Sequence, residues 1–164
     1  MEQLCIFNPP GETAVTWKLY IDGASRANPG HSGAGIVIFK ESTIVQRSGY
    51  YLGIKTNNQA EYMGLLIGVW LANKLMQRQD HLSIFSDSEL MVRQLRGIYK
   101  VKNPELQKCF SLAKHLLEGV SCRVQHVLRA QNAHADEMAN KGVDTRHAVP
   151  EEFLLLLKNH HISW

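Results

Sequence analysis

The sequence predicts an α/β protein built on a five-stranded mixed sheet flanked by helices. Three observations lead to this prediction. The first third of the chain alternates apolar and polar residues in strand-like runs separated by turn residues. A long helical pattern over residues 57–77 follows, and short apolar runs then alternate with helical segments. We therefore expect three antiparallel strands followed by two parallel ones.

Each predicted helix or strand has its own sequence signal. Strands are predicted over residues 17–22, 34–39, 44–52, 82–86 and 123–128, and helices over residues 57–77, 88–96, 104–117, 132–141 and 150–158. Thr56 with Gln59 three residues later is typical of a capping box. Pro104 suits the first turn of a helix, and Gly97 and Gly142 are expected to end the helices before them.

Composition limits the function classes to those of one globular domain. The 164 residues carry a formal net charge of +3, and 45% of them are hydrophobic. These values are ordinary for a folded domain and argue against a disordered chain or a coiled coil. A weak net charge can accompany a concentrated basic face, so a nucleic-acid partner is neither required nor excluded.

The cysteines and the apolar segments predict a cytoplasmic setting. The sequence has an odd number of cysteines and no Cys-x-x-Cys pair, so we expect reduced thiols at Cys5, Cys109 and Cys122. Residues 1–10 do not resemble a secretion signal, and the longest apolar run near the end covers only residues 153–157. We expect a monomer with no membrane partner and no obligate protein partner.

Four acidic residues fall where their side chains are expected to converge. Asp22 and Asp87 each close a predicted strand, and parallel neighbouring strands present such residues at one sheet edge. Glu61 heads a stripe of small and apolar residues on the long helix, and Asp136 precedes a similar stripe. Taken singly, each acid has an ordinary role as a cap, a turn residue or a solvated side chain.

Convergence of the four acids favours a metal site over those ordinary roles. Clustered carboxylates raise one another's pKa, and a bound dication removes that cost. Ligand sets made only of oxygen suit Mg²⁺ or Mn²⁺ rather than zinc. The residues themselves therefore indicate a site for a hard dication.

Four short motifs resemble those of type 1 ribonuclease H and occur in the order found in that family. They are residues 20–25 with 28–30, residues 56–61, residues 85–88, and Asn132 with residues 135–136 and 139–140. The resemblance covers residues 17–143 and implies a ribonuclease H-like fold. It divides the chain into an N-terminal arm (1–16), a catalytic domain (17–146) and a C-terminal helical extension (147–164).

The resemblance implies an endonuclease that hydrolyses the RNA strand of RNA–DNA hybrids. The family uses four carboxylates, here Asp22, Glu61, Asp87 and Asp136, to hold two Mg²⁺ ions, and Mn²⁺ is the alternative metal. The products then carry 5′-phosphate and 3′-hydroxyl ends. Double-stranded RNA is a second candidate substrate.

The resemblance also implies contacts to both strands of the hybrid. Asn28, Asn57 and Asn58 match positions that read RNA 2′-hydroxyl groups, which short amides can both donate to and accept from. Helix capping is the alternative role of the last two. Thr56 and Asn103 match positions that grip a phosphate of the DNA strand.

The chain departs from the family pattern before its last aspartate. Family members with a catalytic histidine carry it on a flexible loop there, whereas residues 126–132 run directly from strand to helix. Arg129 lies nearest that place and is a candidate to steady a phosphate or assist product release, or else a surface arginine. His134 is a second auxiliary candidate, or else a peripheral helix residue. His126 is expected to be structural.

A second departure follows Asp87, where some members insert a basic handle that carries tryptophan. The corresponding segment here is compact. Lys100 and Lys102, with Arg93 and Arg96, are candidates to supply part of that basic surface, and a solvated helix end is the alternative.

Two other function classes stay open at the level of sequence. One is another nuclease or strand-transferase of the same fold, such as an integrase, a resolvase or a reverse-transcriptase domain. The other is a non-catalytic nucleic-acid-binding domain. Asn57 and Asn58 argue against the first because they suit 2′-hydroxyl recognition, and the presence of all four acids argues against the second.

Overall fold

A computed structural model describes residues 13–164, so most of the predicted N-terminal arm lies outside the described residues. Its strands are β1 (Thr16–Ser25), β2 (Gly30–Lys40), β3 (Thr43–Lys55), β4 (His81–Ser86) and β5 (Ser121–His126). Its helices are α1 (Asn57–Leu75), α2 (Glu89–Leu95), α3 (Pro104–Leu116), α4 (Ala133–Thr145) and α5 (Glu151–Asn159), with a 3₁₀ turn at Arg129–Asn132. Every predicted helix and strand is present.

The five strands form one mixed sheet in the order β3-β2-β1-β4-β5. The pairs β1–β2 and β2–β3 are antiparallel, whereas β4 pairs in parallel with both β1 and β5. The predicted fold class is therefore confirmed, including its division into three antiparallel and two parallel strands.

Strand alternation buries both faces of this sheet. On one face, Leu19 and Ile36 belong to the main core together with residues of α1, α3 and α5. On the other face, Val37 packs with Ala135 and Met138 of α4. Neighbouring residues of a strand point to opposite faces, so the sheet is a central layer between helices.

β1 continues beyond Asp22, which was predicted to close it. Gly23 to Ser25 keep their pairing with β2, whereas the pairing with β4 stops at Ile21 and Ser86. The prediction was wrong about the strand end because the antiparallel neighbour extends further than the parallel one. Asp22 ends only the parallel part of the sheet.

Glycines let α4 lie directly on β2 and β3. A Cβ atom added at Gly33, Gly35 or Gly49 would collide with backbone oxygen atoms of α4. Gly142 was predicted to end this helix, but the helix continues to Thr145. Gly142 instead faces the backbone of β3, where a Cβ atom has no room.

α5 and the residues after it complete the main core. Phe153, Leu157 and Ile162 are buried within the same cluster as the sheet and α1. The ring of Phe153 packs against Trp70 of α1, with 5.5 Å between the ring centroids. The C-terminal segment is therefore part of the packed body of the protein.

Asp80 is a buried carboxylate at the start of β4. It accepts hydrogen bonds from the backbone N–H groups of Val15 at 3.0 Å and Gln77 at 2.8 Å, and from the Trp17 indole at 2.8 Å. Burial raises its pKa, but these bonds outweigh burial and hold the pKa below its ordinary value. Asp80 thus stabilises the end of the sheet opposite to Asp22 and Asp87.

Cysteine chemistry departs from expectation at one position. Cys109 is a buried free thiol, whereas Cys122 is disulfide-bonded. The expectation of reduced thiols was wrong for Cys122, because an odd count of three still permits one pair. Across residues 13–164, no helix has the length and apolar character needed to cross a bilayer.

Candidate active site

Asp22 and Asp87 lie together because β1 and β4 are parallel neighbours. The last residues paired between these strands are Ile21 and Ser86, and each acid is the next residue along its chain segment. Parallel strands end at the same sheet edge. Both carboxylates therefore enter one groove, which Gly23, Ala24 and Ser25 also line.

Glu61 reaches the same groove from the first turns of α1. Thr56 begins the helix with a capping box, in which its hydroxyl accepts from the Gln59 N–H at 3.2 Å. The Glu61 carboxylate accepts a hydrogen bond from the Gly23 N–H at 3.2 Å. Close approach of the backbones depends on glycine, because a Cβ atom at Gly64 would lie 2.9 Å from the Asp22 carbonyl oxygen.

Asp22, Glu61 and Asp87 form a cluster of three carboxylates. One oxygen from each lies within 4.8 Å of the others, and Asp22 is only 5% exposed. Burial, followed by the negative charges of Asp87 and Asp136, raises the pKa of Asp22 to about 8. Burial and the charges of Asp22 and Asp87 likewise raise the pKa of Glu61, against the hydrogen bond from Gly23.

The donor set of this cluster fits a hard dication. All three side chains offer oxygen, the ligand atom that Mg²⁺ and Mn²⁺ prefer. Burial first, and then mutual repulsion, raise the pKa values of Asp22 and Glu61, and a bound cation would offset both effects. The geometry and the electrostatics of the cluster therefore favour the binding of a cation.

Asp136 stands at the rim of the cluster, on the first turn of α4. Its negative charge contributes, after burial and the charge of Asp87, to the raised pKa of Asp22, and its Oδ1 lies 3.7 Å from Nη2 of Arg129. Asp136 is outside the group of three whose oxygen atoms lie mutually within 4.8 Å. Arg129 is 81% exposed and lines the same groove.

Asn132 connects α4 to the strand that carries Asp22. Its Nδ2 donates to the Ile21 carbonyl at 2.9 Å, and the residue is 1% exposed. The Oδ1 atom of the same side chain has no hydrogen-bond partner among the described residues. In the sequence, Asn132 stands out only as part of a motif, and no pattern signals this tertiary bond.

Two histidines flank the site without lining the groove. His134 is exposed on the first turn of α4, two residues before Asp136. His126 ends β5 next to Ser86, and its Nε2 lies 3.3 Å from the Asp87 carbonyl oxygen. His126 thus contacts the backbone of the segment that carries Asp87.

The asparagines expected to bind substrate lie beside the carboxylates. Asn57 lines the groove together with Glu61, and Asn58 is exposed next to it. The Asn57 N–H donates to Oδ1 of Asn28 at 3.1 Å, which joins the loop before β2 to the start of α1. The side-chain amide of Asn28 is exposed.

Thr56 and Asn103 both act as helix caps. Oδ1 of Asn103 accepts from the N–H groups of Glu105 at 2.9 Å and Leu106 at 3.1 Å, at the start of α3. Neither residue lines the carboxylate groove. They begin two helices that face each other across a small cavity, which is lined by Lys55, Gln59, Glu105, Leu106 and neighbouring residues.

Several known proteins are similar in sequence to this chain. A family model described as reverse transcriptase-like matches residues 20–142. The bifunctional protein Rv2228c of Mycobacterium tuberculosis is 39% identical over 126 residues, which cover 75% of this chain and 34% of that protein. Ribonuclease HI of Halobacterium salinarum is 36% identical over 127 residues, 76% of this chain and 63% of the relative. The chain therefore spans less than two thirds of these curated relatives.

Solved structures are similar over a larger share of their length. The crystal structure of LC11-RNase H1 in complex with an RNA/DNA hybrid superposes with a TM-score of 0.75 at 34% sequence identity. The match covers 79% of this chain and 97% of that one.

Proposed function

The chain belongs to the type 1 ribonuclease H family, and from that premise we propose that it is an endonuclease acting on the RNA strand of RNA–DNA hybrids. The observation that carries the proposal is the convergence of Asp22, Glu61 and Asp87 in a groove that Asn57 also lines. A carboxylate cluster can bind the metal ions that assist hydrolysis. The neighbouring amide of Asn57 can bind a 2′-hydroxyl group, which RNA has and DNA lacks.

Asp22, Glu61 and Asp87 are the residues that would hold Mg²⁺, with Asp136 as the fourth ligand of a two-ion site. Mn²⁺ has the same preference for oxygen and is the alternative metal. When bound, the two ions supply an activated water nucleophile and stabilise the charge on the leaving oxygen. Hydrolysis then leaves 5′-phosphate and 3′-hydroxyl ends.

The protein groups prepare the site in three ways. The Gly23 N–H fixes the orientation of the Glu61 carboxylate, and Asn132 ties the start of α4 to the residue before Asp22. Asp22, with a pKa of about 8, holds a proton near neutral pH and releases it when a cation enters.

Selection of RNA falls to the exposed amides at the start of α1. Asn57 and Asn58, with Asn28 beside them, offer donors and acceptors for 2′-hydroxyl groups. The Oδ1 atom of Asn28 already accepts a hydrogen bond from the Asn57 backbone. The NH₂ group of Asn28 is therefore the part of this side chain that can donate to substrate. A deoxyribose strand lacks the partner hydroxyl and leaves these groups unpaired.

Arg129 is the proposed auxiliary group of the site. It is exposed, it lines the groove, and its distance of 3.7 Å from Asp136 leaves the guanidinium free to approach a phosphate. Its role is to steady the cleaved phosphate and help the product leave. His134, on the exposed face of α4, stays a second auxiliary candidate.

The proposed domain division is 17–146 for catalysis and 147–164 for an extension packed on α1. The buried residues Phe153, Leu157 and Ile162 support an extension that is integral to the fold. A monomeric state and a cytoplasmic location stay predictions.

Matched duplexes test the proposed function. Labelled RNA–DNA, RNA–RNA and DNA–DNA duplexes of one sequence are incubated with protein and either Mg²⁺ or Mn²⁺, and the product ends are mapped. We expect cleavage of the RNA strand of the hybrid, with the RNA–RNA arm deciding whether that duplex is also a substrate. Equal cleavage of DNA–DNA would contradict RNA selection, and no cleavage with either metal would contradict the enzyme proposal.

A further inference from the structure

Lys55 is a cation whose side chain is half-buried. It ends β3, and burial lowers its pKa. Among residues 13–164 it forms no ion pair, whereas Lys74 pairs with Glu152 at 3.0 Å and Lys108 with Glu105 at 3.4 Å. A bound anion would restore to Lys55 the solvation that burial removes.

Trp164 lies against this cation. The Lys55 ammonium is 5.1 Å from the centroid of the indole ring. Trp164 remains 46% exposed. Ile162, two residues earlier, is buried in the main core and lines the same cavity as Lys55 and Leu106. Burial of Ile162 thus fixes the tail so that the indole stays beside Lys55.

The backbone of Lys55 borders the carboxylate groove, whereas its side chain lines the cavity between α1 and α3. The Lys55 carbonyl accepts hydrogen bonds from the hydroxyl groups of Ser25 at 2.9 Å and Ser32 at 3.2 Å. Ser25 itself lines the groove. Thr56 follows directly and caps α1, so Lys55 lies two residues before Asn57 in the chain.

Three arginines of the described residues are already engaged by protein groups. The Arg26 guanidinium contacts Asp144 at 2.6 Å, and Arg93 contacts Glu89 at 2.8 Å. Arg96 donates to the Val124 carbonyl at 3.0 Å. Lys55 differs from these arginines, because its ammonium contacts the ring of Trp164 and forms no ion pair among residues 13–164.

We propose that Lys55 and Trp164 together form a binding contact for the sugar–phosphate backbone of the hybrid, outside the carboxylate cluster. The ammonium pairs with one phosphate, and the indole packs against the adjoining sugar or base. This inference rests on the proposed function and gives the C-terminal tail a part in substrate binding. The phosphate comes from either the DNA strand or the RNA strand.

Binding measurements on the full chain test the pair. The dissociation constant of a fluorescent RNA–DNA hybrid is measured by anisotropy with Ca²⁺ in place of Mg²⁺, over a range of salt. We expect Lys55→Met and Trp164→Ala each to weaken binding about tenfold, and Lys55→Met to reduce the salt slope by about one. In Mg²⁺, KM should rise while kcat stays within about twofold, since the pair touches no reacting atom.

The chain offers a matched control in a second lysine–tryptophan pair. Lys74 lies 3.7 Å from the centroid of the Trp70 ring, at the other end of α1, and already pairs with Glu152. Lys74→Met removes the same charge from the same kind of contact. It should leave the dissociation constant and the salt slope unchanged.

A neutral backbone distinguishes the two strands. In a hybrid whose DNA strand carries methylphosphonate linkages, the DNA phosphates have no charge. If the penalty of Lys55→Met disappears on this hybrid, Lys55 binds the DNA strand; if the penalty persists, it binds the RNA strand. Both results support the proposed contact.

The proposal fails if Lys55→Met and Trp164→Ala bind the hybrid as the wild type does while the wild type cleaves it. Failure of the wild type to cleave or bind any hybrid would instead overturn the proposed function. Thermal melting checks that each variant folds. Trp164→Phe, which keeps an apolar ring with a weaker attraction for a cation, gives an intermediate loss of affinity if the indole contact is right and none if it is wrong.

Discussion

Asp22 and Asp80 are buried aspartates at opposite ends of the strands β1 and β4, and their environments act on the pKa in opposite directions. Hydrogen bonds from Gln77, Val15 and Trp17 outweigh burial at Asp80 and lower its pKa. At Asp22, burial and then the charges of neighbouring acids raise the pKa to about 8. The same residue type therefore stabilises the fold at one end and stores repulsion at the other.

Exchange of each aspartate for asparagine should separate these roles. Asp22→Asn should lower cleavage by about 10³-fold or more, while the metal-free protein keeps or gains stability because the amide is neutral without taking up a proton on folding. Asp80→Asn should lower the free energy of unfolding by about 1–3 kcal/mol, since charged hydrogen bonds are lost. Cleavage assays and thermal melts measure the two effects, and full activity of Asp22→Asn would contradict the ligand assignment.

Arg129 is the residue whose role depends most on kinetics. Arg129→Ala should lower kcat about fivefold, the equivalent of about 1 kcal/mol for an exposed charge, with little change in hybrid affinity. Arg47 is a matched control, because it also lies 3.7 Å from a carboxylate of α4, that of Glu137. Single-turnover and steady-state rates of both variants measure this effect. Equal kinetics for Arg129→Ala and Arg47→Ala would show that Arg129 is an ordinary surface residue without a role in turnover.

At the scale of elements, α4 depends on glycines in the strands below it. A Cβ at Gly35 would meet the backbone of α4, the helix that carries Asp136. Gly35→Ala should lower the free energy of unfolding by about 1–3 kcal/mol through overpacking. It should also weaken Mg²⁺ binding, because α4 and its acid must move away from β1.

Gly68→Ala on α1 is the control for this prediction. Its added Cβ would meet only side-chain atoms, the nearest being Cγ2 of Ile21 at 2.8 Å. Alanine also has a higher helix propensity than glycine by about 1 kcal/mol. Calorimetric titration with Mg²⁺ should therefore show near wild-type affinity for Gly68→Ala, and equal affinity for Gly35→Ala would contradict the proposed dependence.

Sequence patterns predicted the elements well and the contacts between them less well. Periodicity and caps located α1 and α3 closely, because Thr56 and Asn103 signal helix starts locally. The true end of β1 depends on how far β2 pairs with it, and the interior position of Gly142 depends on the backbone of β3. Such facts belong to tertiary packing, which one-dimensional periodicity does not encode.

The same distinction holds for the candidate site. Asp22 and Asp87 could be placed together because strand ends in a parallel pair meet at one edge. The bond from Asn132 to Ile21 and the contact between Lys55 and Trp164 join residues far apart in the chain. Neither pair has a spacing that a sequence pattern can report.

For the whole molecule, the raised pKa of Asp22 links stability to pH and to metal. The pKa is 3.8 in the unfolded chain and about 8 in the folded one, so the folded protein binds the proton more tightly. This stabilisation is complete below the unfolded value and is lost as pH rises towards the folded one. Glu61 acts in the same direction.

Melting curves across pH test this linkage. In EDTA, Tm should fall between about pH 5 and about pH 8, and Mg²⁺ should raise Tm more at the higher pH, where it replaces bound protons. Asp22→Asn should flatten both responses. A metal-free Tm that rises steadily over this pH range would contradict a raised pKa for Asp22.

The parallel pairing of β1 with β4 also has a kinetic consequence. All of β2, β3 and α1 lie between these strands in the chain, so Asp22 meets Asp87 only after a long loop has closed. A nascent or partly folded chain therefore has no assembled carboxylate cluster. Divalent cations should slow unfolding while leaving the refolding rate nearly unchanged, so ion capture marks completion of folding rather than its start.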